Sequence, residues 1–291
     1  MINLTFELYP LQIERAQKLL SNRRLLGDMF NGWFKGWLID EHLHLQQALR
    51  PVTQDQALYA LRILPDPKRD LSLTACITLI GSAALYANQL LSALANNPVV
   101  SLGPPQTEFE LTGFAASQPG TSSQILMDEQ TSLIEPIPDK VLDLCLSTAY
   151  PELTSAQSIT LDFYTPHRLG QCVAGAAPTL KAITKNIAVK LRALEPQTAD
   201  HIGLETQAWY TAERALNNVQ VVTDTRELVT WQYRSENQYQ HRRMGWLGTV
   251  QFAVVGAAIP AAVVQVLWLG QWLSSGQNCI GGQGCYDLRR Q

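Results

Sequence analysis

The sequence predicts an α+β protein built of two tandem βαββαβ units. Three observations predict it. Short stretches alternate apolar and polar residues, as half-buried strands do. Between them lie stretches with apolar residues at spacings of three and four, the mark of helices with one buried face. The resulting order occurs once in each half of a 291-residue chain, a length that favours two domains, and 46% hydrophobic content is enough for two cores.

In the first half, "INLTFELYP" alternates Leu4, Phe6 and Leu8 on one face, and Pro10 ends the strand. "LQIERAQKLL" and "RRLLGDMFNGWFKGWLIDEHL" read as helical. "QALYALRILP" is a short strand, and "LSLTACITLIG", rich in Leu, Ile and Thr, is a stronger one. "SAALYANQLLSALANN" is an amphipathic helix with Ala83, Ala87, Leu90, Leu91 and Leu94 on one face. "TEFELTGFA" alternates again. This is the ferredoxin-like order. It defines an N-terminal domain over 1–116. Residues 117–154 read as the connection: a Ser-, Gln-, Gly-, Thr- and Pro-rich stretch around one strand, "SQILMDE", and then "KVLDLCLSTAY", a short helix or strand.

The second domain spans 155–291 and repeats the order. "SITLDFYTP" is a strand, and "TLKAITKNIAVKLRAL" is a helix with Leu180, Ile183, Ile187 and Leu191 in register. "TRELVTWQYRS" and "GWLGTVQFAVVG" are strands joined by the turn-like, basic "ENQYQHRRM". "AAVVQVLWLGQWL" is a helix and "GCYDL" the closing strand. One helix, "GLETQAWYTAERALNN", is an insertion that the order does not require.

Val250–Trp272 is the most apolar run, and no Asp, Glu, Lys or Arg occurs from Met244 to Tyr286. A spanning helix needs about 20 continuous apolar residues. Here Gly256 and Pro260 interrupt the run. Val250, Phe252 and Val254 alternate as in a strand, whereas Val263, Val264, Leu267 and Trp268 follow helical spacing, and Pro260 suits a first helical turn. Gln251, Gln265 and Gln271 would also be awkward in lipid. A strand and its crossover helix account for the run without a membrane.

The formal net charge is −3 with a pI near 6.0. Bulk charge therefore does not bind nucleic acid, and any such site must be a local basic patch. The five cysteines are scattered, with no CxxC pair, and no secretory signal opens the chain. A reduced, cytoplasmic protein with buried thiols, no metal and no cofactor is expected. A Walker loop, HExxH, GxSxG and paired-carboxylate motifs are all missing from the sequence, which argues against NTPases, zinc proteases and serine hydrolases.

Four patches are candidates for chemistry. "SSGQNCIGGQGCYDL" places Gly276, Gly281, Gly282 and Gly284 before the last strand, where free amides can cradle phosphate; a plain flexible turn is the alternative. "TWQYRSENQYQHRRMGW" interleaves Arg234, His241, Arg242 and Arg243 with Tyr233 and Tyr239, suited to phosphate forks and base stacking; a solvated hairpin tip is the alternative. Arg23 and Arg24 with Lys35 form a second basic cluster, with the same two readings of phosphate binding and solvated surface. "DEHLHLQ" sets His42 and His44 two apart. Extended, they share a side; in a helix they diverge by roughly 200°. Neutral-range imidazoles suit proton movement at a ribose hydroxyl and a leaving oxygen; ordinary surface histidines are the alternative.

Together these features resemble the RAMP superfamily, and in particular the CRISPR repeat-RNA-processing endoribonucleases of the Cas-six type. "SITLDFYTPHRL" is similar to that family's hydrophobic strand followed by TP-x-R-L. "VTWQYRSENQYQHRRMGWLGTVQF" is similar to its basic hairpin, and "VLWLGQWLSSGQNCIGGQGCYDL" to its helix, Gly-rich loop and closing strand. The insertion from Gly203 to Asn218 resembles that of the type IV processing subunit.

The resemblance implies metal-independent cleavage by a ribose 2′-hydroxyl, giving a 2′,3′-cyclic phosphate and a 5′-hydroxyl. It implies His44, with His42 as rival, for proton transfer, and Arg23 or Arg24 and Arg242 or Arg243 for phosphorane charge. Arg24, Lys35, Arg234, His241, Arg243 and the Gly281, Gly282 and Gly284 loop would hold the RNA. The implied partners are the repeat stem-loop and other Cas subunits of an effector complex, especially its repeating backbone subunit, with no membrane. The alternatives are a non-catalytic subunit that caps the RNA hairpin and a membrane-associated protein anchored by Val250–Trp272.

Overall fold

The structure, a computed structural model, describes residues 1–20, 26–50, 57–65, 71–103, 106–126, 134–146, 150–169, 176–234, 240–277 and 279–291. The chain divides into two units. One comprises Met1–Pro151 with Ile280–Gly282, and the other Glu152–Cys279 with Gln283–Gln291.

The first unit runs β1 (Ile2–Pro10), α1 (Ile13–Leu20), α2 (Leu26–Glu41), α3 (Leu43–Ala48), β2 (Tyr59–Pro65), β3 (Leu73–Leu79), α4 (Ala87–Asn96), β4 (Val99–Leu102), β5 (Thr107–Ser117), β6 (Gln124–Ile125) and α5 (Asp139–Leu146). Its sheet has the order β2-β3-β1-β5-β4, with β6 on β5. Without β4 and β6 this is the ferredoxin-like order that the sequence predicts. The alternation of β1 does its work: Leu4, Phe6 and Leu8 are buried. The α2 helix buries Leu26, Phe30, Phe34, Trp37 and Leu38. Phe30 sits 6.0 Å from Phe6 of β1, and Phe34 lies edge-on to Tyr59 of β2 at 5.4 Å. Each aromatic pair of this kind adds about 1 kcal/mol beyond area burial.

Two features of the first unit depart from the sequence reading, and one that it left open is settled. β4 was not expected: it is a four-residue edge strand, too short for alternation to register. The "SAALYANQ" start of α4 is a 3₁₀ helix over Gly81–Tyr86, and the α-helix begins only at Ala87. "KVLDLCLSTAY", left open between helix and strand, is helical over its first seven residues, which belong to α5.

The second unit runs β7 (Ser158–His167), α6 (Leu180–Leu194), α7 (Pro196–Ile202), α8 (Gln207–Ala215), β8 (Val219–Asp224), β9 (Glu227–Arg234), β10 (Gln240–Val254), α9 (Ala261–Leu273) and β11 (Tyr286–Arg290). The sheet order is β11-β7-β10-β8, with β9 also on β10, again ferredoxin-like. β10 is longer than predicted. Its first half pairs β9 from Gln240↔Arg234 to Leu247↔Glu227, and its second half pairs β8. "HRRM", read as turn, is therefore strand. The expected insertion helix is α8, shorter than the Gly203–Asn218 stretch; α7, which the sequence reading did not assign, precedes it and ends at Gly203, which caps it in the left-handed conformation.

The charge-free run is the end of β10 and the 13-residue α9, with Pro260 as its N-cap rather than inside its first turn. Among the described residues no helix is long and apolar enough to cross a membrane. The glutamines of the run are held inside the unit. Gln251 Nε2 donates to Ser158 Oγ, Gln265 Oε1 accepts from the Leu153 amide, and Gln271 Oε1 accepts from the Leu288 amide.

Candidate functional site

In the first unit the histidines sit where α2 gives way to α3. The α2 helix carries on to Glu41, and the His42 amide still donates to Leu38 O. His42 then leaves helical geometry (φ −137°, ψ 52°) and becomes the N-cap of α3. The break between helices keeps the two histidines from diverging as they would in one helix: their ring centroids are 6.4 Å apart.

Their environments differ. The His42 ring packs edge-on against Trp37 at 4.6 Å, and its side chain is 21% exposed. His42 Nε2 is shielded from solvent without a hydrogen-bond partner among the described residues, and Glu41 Oε2 lies 4.0 Å away. Glu41 Oε2 also accepts from Trp37 Nε1 at 3.2 Å, which fixes the indole. His44, in the first turn of α3, is exposed. Lys35 is exposed on α2. Arg23 and Arg24 lie outside the described residues.

In the second unit the basic hairpin is a β-ladder. Arg242 pairs with Gln232 and Arg243 with Trp231, whose side chain is buried. Successive positions of a strand belong to opposite faces. Positions 242 and 243 therefore do not line one surface, although they are adjacent in sequence. His241 stands opposite Tyr233, and Arg234 ends β9. The hairpin tip, with Tyr239, lies outside the described residues.

The Gly-rich loop is not the open row of amides that its composition suggests. Its amides turn inward. Ser275 N donates to Gly284 O, Gly276 N to Asn186 Oδ1, Gln277 N to Arg168 O, Gly284 N to Pro166 O, and Cys285 N to Thr165 Oγ1. Gly281 ends a 3₁₀ turn, and Gly281, Gly282 and Gly284 are all buried. Gly276 (φ +94°) and Gly284 (φ +71°) need glycine twice over. A Cβ at Gly276 would lie 2.3 Å from Arg168 O, and one at Gly284 would lie 1.7 Å from Ser275 O.

Beneath this loop are side chains that the sequence reading passed over. Lys190 of α6 is only 6% exposed, and its Nζ donates to Ser274 O (3.0 Å), Gly276 O (3.1 Å) and Cys279 Sγ (2.8 Å). His167 is fully buried, stacked on Phe163 at 4.5 Å and bonded through Nε2 to Ser275 Oγ at 3.1 Å. Burial lowers its pKa to about 3, with help from the charges of Lys190 and Arg226. Arg226 is itself buried and makes a two-pronged pair with Asp224, which holds that carboxyl below its ordinary range. Lys190 had a legible signal: it stands on the apolar register of α6, three residues after Ile187.

A tandem ferredoxin-like pair with a glycine-rich segment ahead of the closing strand is thus the class of protein defined here. Comparison with protein families and with curated proteins finds no match. Comparison with solved structures does. A Cas6 product complex is 18% identical and superposes with a TM-score of 0.57 over 99% of this chain and 100% of that one. Thermus thermophilus Cas6 is 14% identical, with a TM-score of 0.59 over 99% of this chain and 98% of that one. Another Cas6 product complex is 15% identical, with a TM-score of 0.59 over 99% of both chains. The chain has the Cas6 fold along its whole length.

Proposed function

We propose that this protein is a metal-independent endoribonuclease that cleaves CRISPR precursor RNA within the repeat and stays on the hairpin it has cut. The observation that carries the reading is end-to-end likeness to Cas6 proteins solved with their products. The histidine pair between α2 and α3 supports it.

In the proposed step an imidazole takes the proton of a ribose 2′-hydroxyl. The 2′-oxygen attacks the adjacent phosphorus, and the bond to the 5′-oxygen breaks. That oxygen takes up a proton, leaving a 2′,3′-cyclic phosphate and a 5′-hydroxyl. His44 is the better placed of the pair, because it is exposed while His42 Nε2 is shielded against Trp37 and Glu41. Arg23 or Arg24, and Arg242 or Arg243, would stabilise charge on the phosphorane, an effect worth about 3 kcal/mol per donor in comparable sites. The proposed partners are the repeat RNA and the backbone subunit of an effector complex.

A second reading, a subunit that caps the hairpin without cutting it, is favoured by the shielding of His42. The two separate on one experiment. Purified protein is incubated with end-labelled repeat RNA in EDTA. Cleavage to a cyclic phosphate supports the endoribonuclease. Binding without cleavage supports the cap. Failure to bind or cut any repeat hairpin overturns both.

A further inference from the structure

We propose that Arg168 contacts the RNA backbone and that Lys190 is the buried residue that positions it. This rests on the RNA-processing reading above.

The argument starts at Lys190. An ammonium has three donors and no acceptor. All three go to one segment: Ser274 O, Gly276 O and Cys279 Sγ. The Cys279 thiol in turn donates to Gly276 O. No carboxylate pairs with Lys190 among the described residues. Burying a lone cation is costly, and an apolar side chain of similar length is often the more stable choice for a core. What Lys190 supplies is the conformation of the loop. Asn186, one helical turn earlier on α6, ties the same loop by accepting from Gly276 N.

The loop transmits that position to Arg168. The Gln277 amide donates to Arg168 O at 2.9 Å, and Gly276 approaches Arg168 O so closely that no Cβ fits between them. His167, the preceding residue, is bonded to Ser275. The backbone at 167–168 is thus clamped to the loop from both sides. Most of the loop is buried, but Arg168 and Gln277 are exposed at its rim. Arg168 makes no ion pair among the described residues. A fixed backbone carrying an exposed guanidinium suits a phosphodiester oxygen, for which the planar fork offers two parallel donors.

The test is a double-mutant cycle on repeat-hairpin RNA, with Arg168→Ala, Lys190→Met and the double variant. Affinity is measured across a salt series. In parallel, alkylation of Cys279 by iodoacetamide under native conditions reports the loop, since this thiol is buried while the loop is in place.

Arg168→Ala is expected to weaken binding about tenfold and to reduce the salt slope by about 1. Lys190→Met is expected to weaken binding by a similar factor and to speed Cys279 alkylation at least tenfold. The double variant should bind no worse than the weaker single one. Fully additive losses, or an unchanged salt slope in Arg168→Ala, would overturn the proposal. If Lys190→Met does not fold, Asn186→Ala takes its place in the cycle with the same expectation. Failure of the wild type to bind RNA would overturn the RNA-processing reading, while slow alkylation in Lys190→Met would overturn the anchoring role separately.

Discussion

His167 Nε2 lies 3.1 Å from Ser275 Oγ, inside a pocket where the imidazole is stacked on Phe163 and fully buried. Its Nδ1 has no hydrogen-bond partner among the described residues. An unpaired buried acceptor is tolerated better than an unpaired donor. The proton is therefore assigned to Nε2, donating to Ser275, with Nδ1 bare. Burial disfavours a charged imidazole, and a proton on Nδ1 would add a third positive charge beside those of Lys190 and Arg226, which is why the pKa falls to about 3.

This makes stability depend on pH in a stated window. The folded pKa, about 3, lies below the ordinary 6.5 of an unfolded histidine. Between those values the unfolded chain binds a proton that the folded chain refuses. Stability is thus undiminished above pH 6.5 and falls as pH drops towards 3, by about 1.4 kcal/mol per pH unit from this group. His167→Asn retains a donor for Ser275 and removes the titration. Urea unfolding at a series of pH values should show a shallower acid slope in that variant, by about one proton. An identical slope would mean that His167 is not held neutral.

Gly284 is expected to be among the least replaceable residues of the second unit. Alanine there faces a left-handed backbone and a carbonyl 1.7 Å from its Cβ. The carbonyl is backbone, so the loop itself must move. Gly284→Ala should cost about 2 kcal/mol or more in denaturant unfolding. Gly256, also left-handed (φ +68°) but with open space around it, is the control, and its alanine variant should cost less.

Most elements could be read from the chain because their burial is one-sided. The alternation in β1 and the four-residue register of α6 map directly onto buried faces. What escaped was set by partners far along the chain. β8 is almost wholly exposed and exists as a strand because β10 pairs with it. The histidines could not be placed from spacing, because a helix break at His42 is neither of the two regular geometries. The glycines of the loop were legible as a loop. Where their amides point was not, since Asn186, Pro166 and Arg168 lie far from them in sequence.

The ladder of β9 and β10 separates the two adjacent arginines. Position 242 is opposite exposed Gln232, and position 243 is opposite buried Trp231. Arg242→Ala should lower the dependence of RNA affinity on salt by about 1 in log–log slope, as loss of one phosphate contact does. Arg243→Ala should lower thermal stability more than it changes that slope. Equal slopes in both variants would show that the two arginines act as one patch.

His44 is the last and most direct case. It is exposed at the start of α3, with its ring 6.4 Å from that of His42. A positioned imidazole in general acid–base chemistry contributes about a hundredfold to ten-thousandfold. His44→Ala should therefore slow single-turnover cleavage of repeat RNA by at least a hundredfold while binding changes less than threefold. His42→Ala removes the ring packed on Trp37, so it should cost about 1 kcal/mol of stability and a smaller factor in rate. The reverse order of rates would transfer the proton-transfer role to His42, and would require its shielded Nε2 to open when RNA binds. Unchanged rates in both variants would remove histidine from the chemistry and leave it to the arginines.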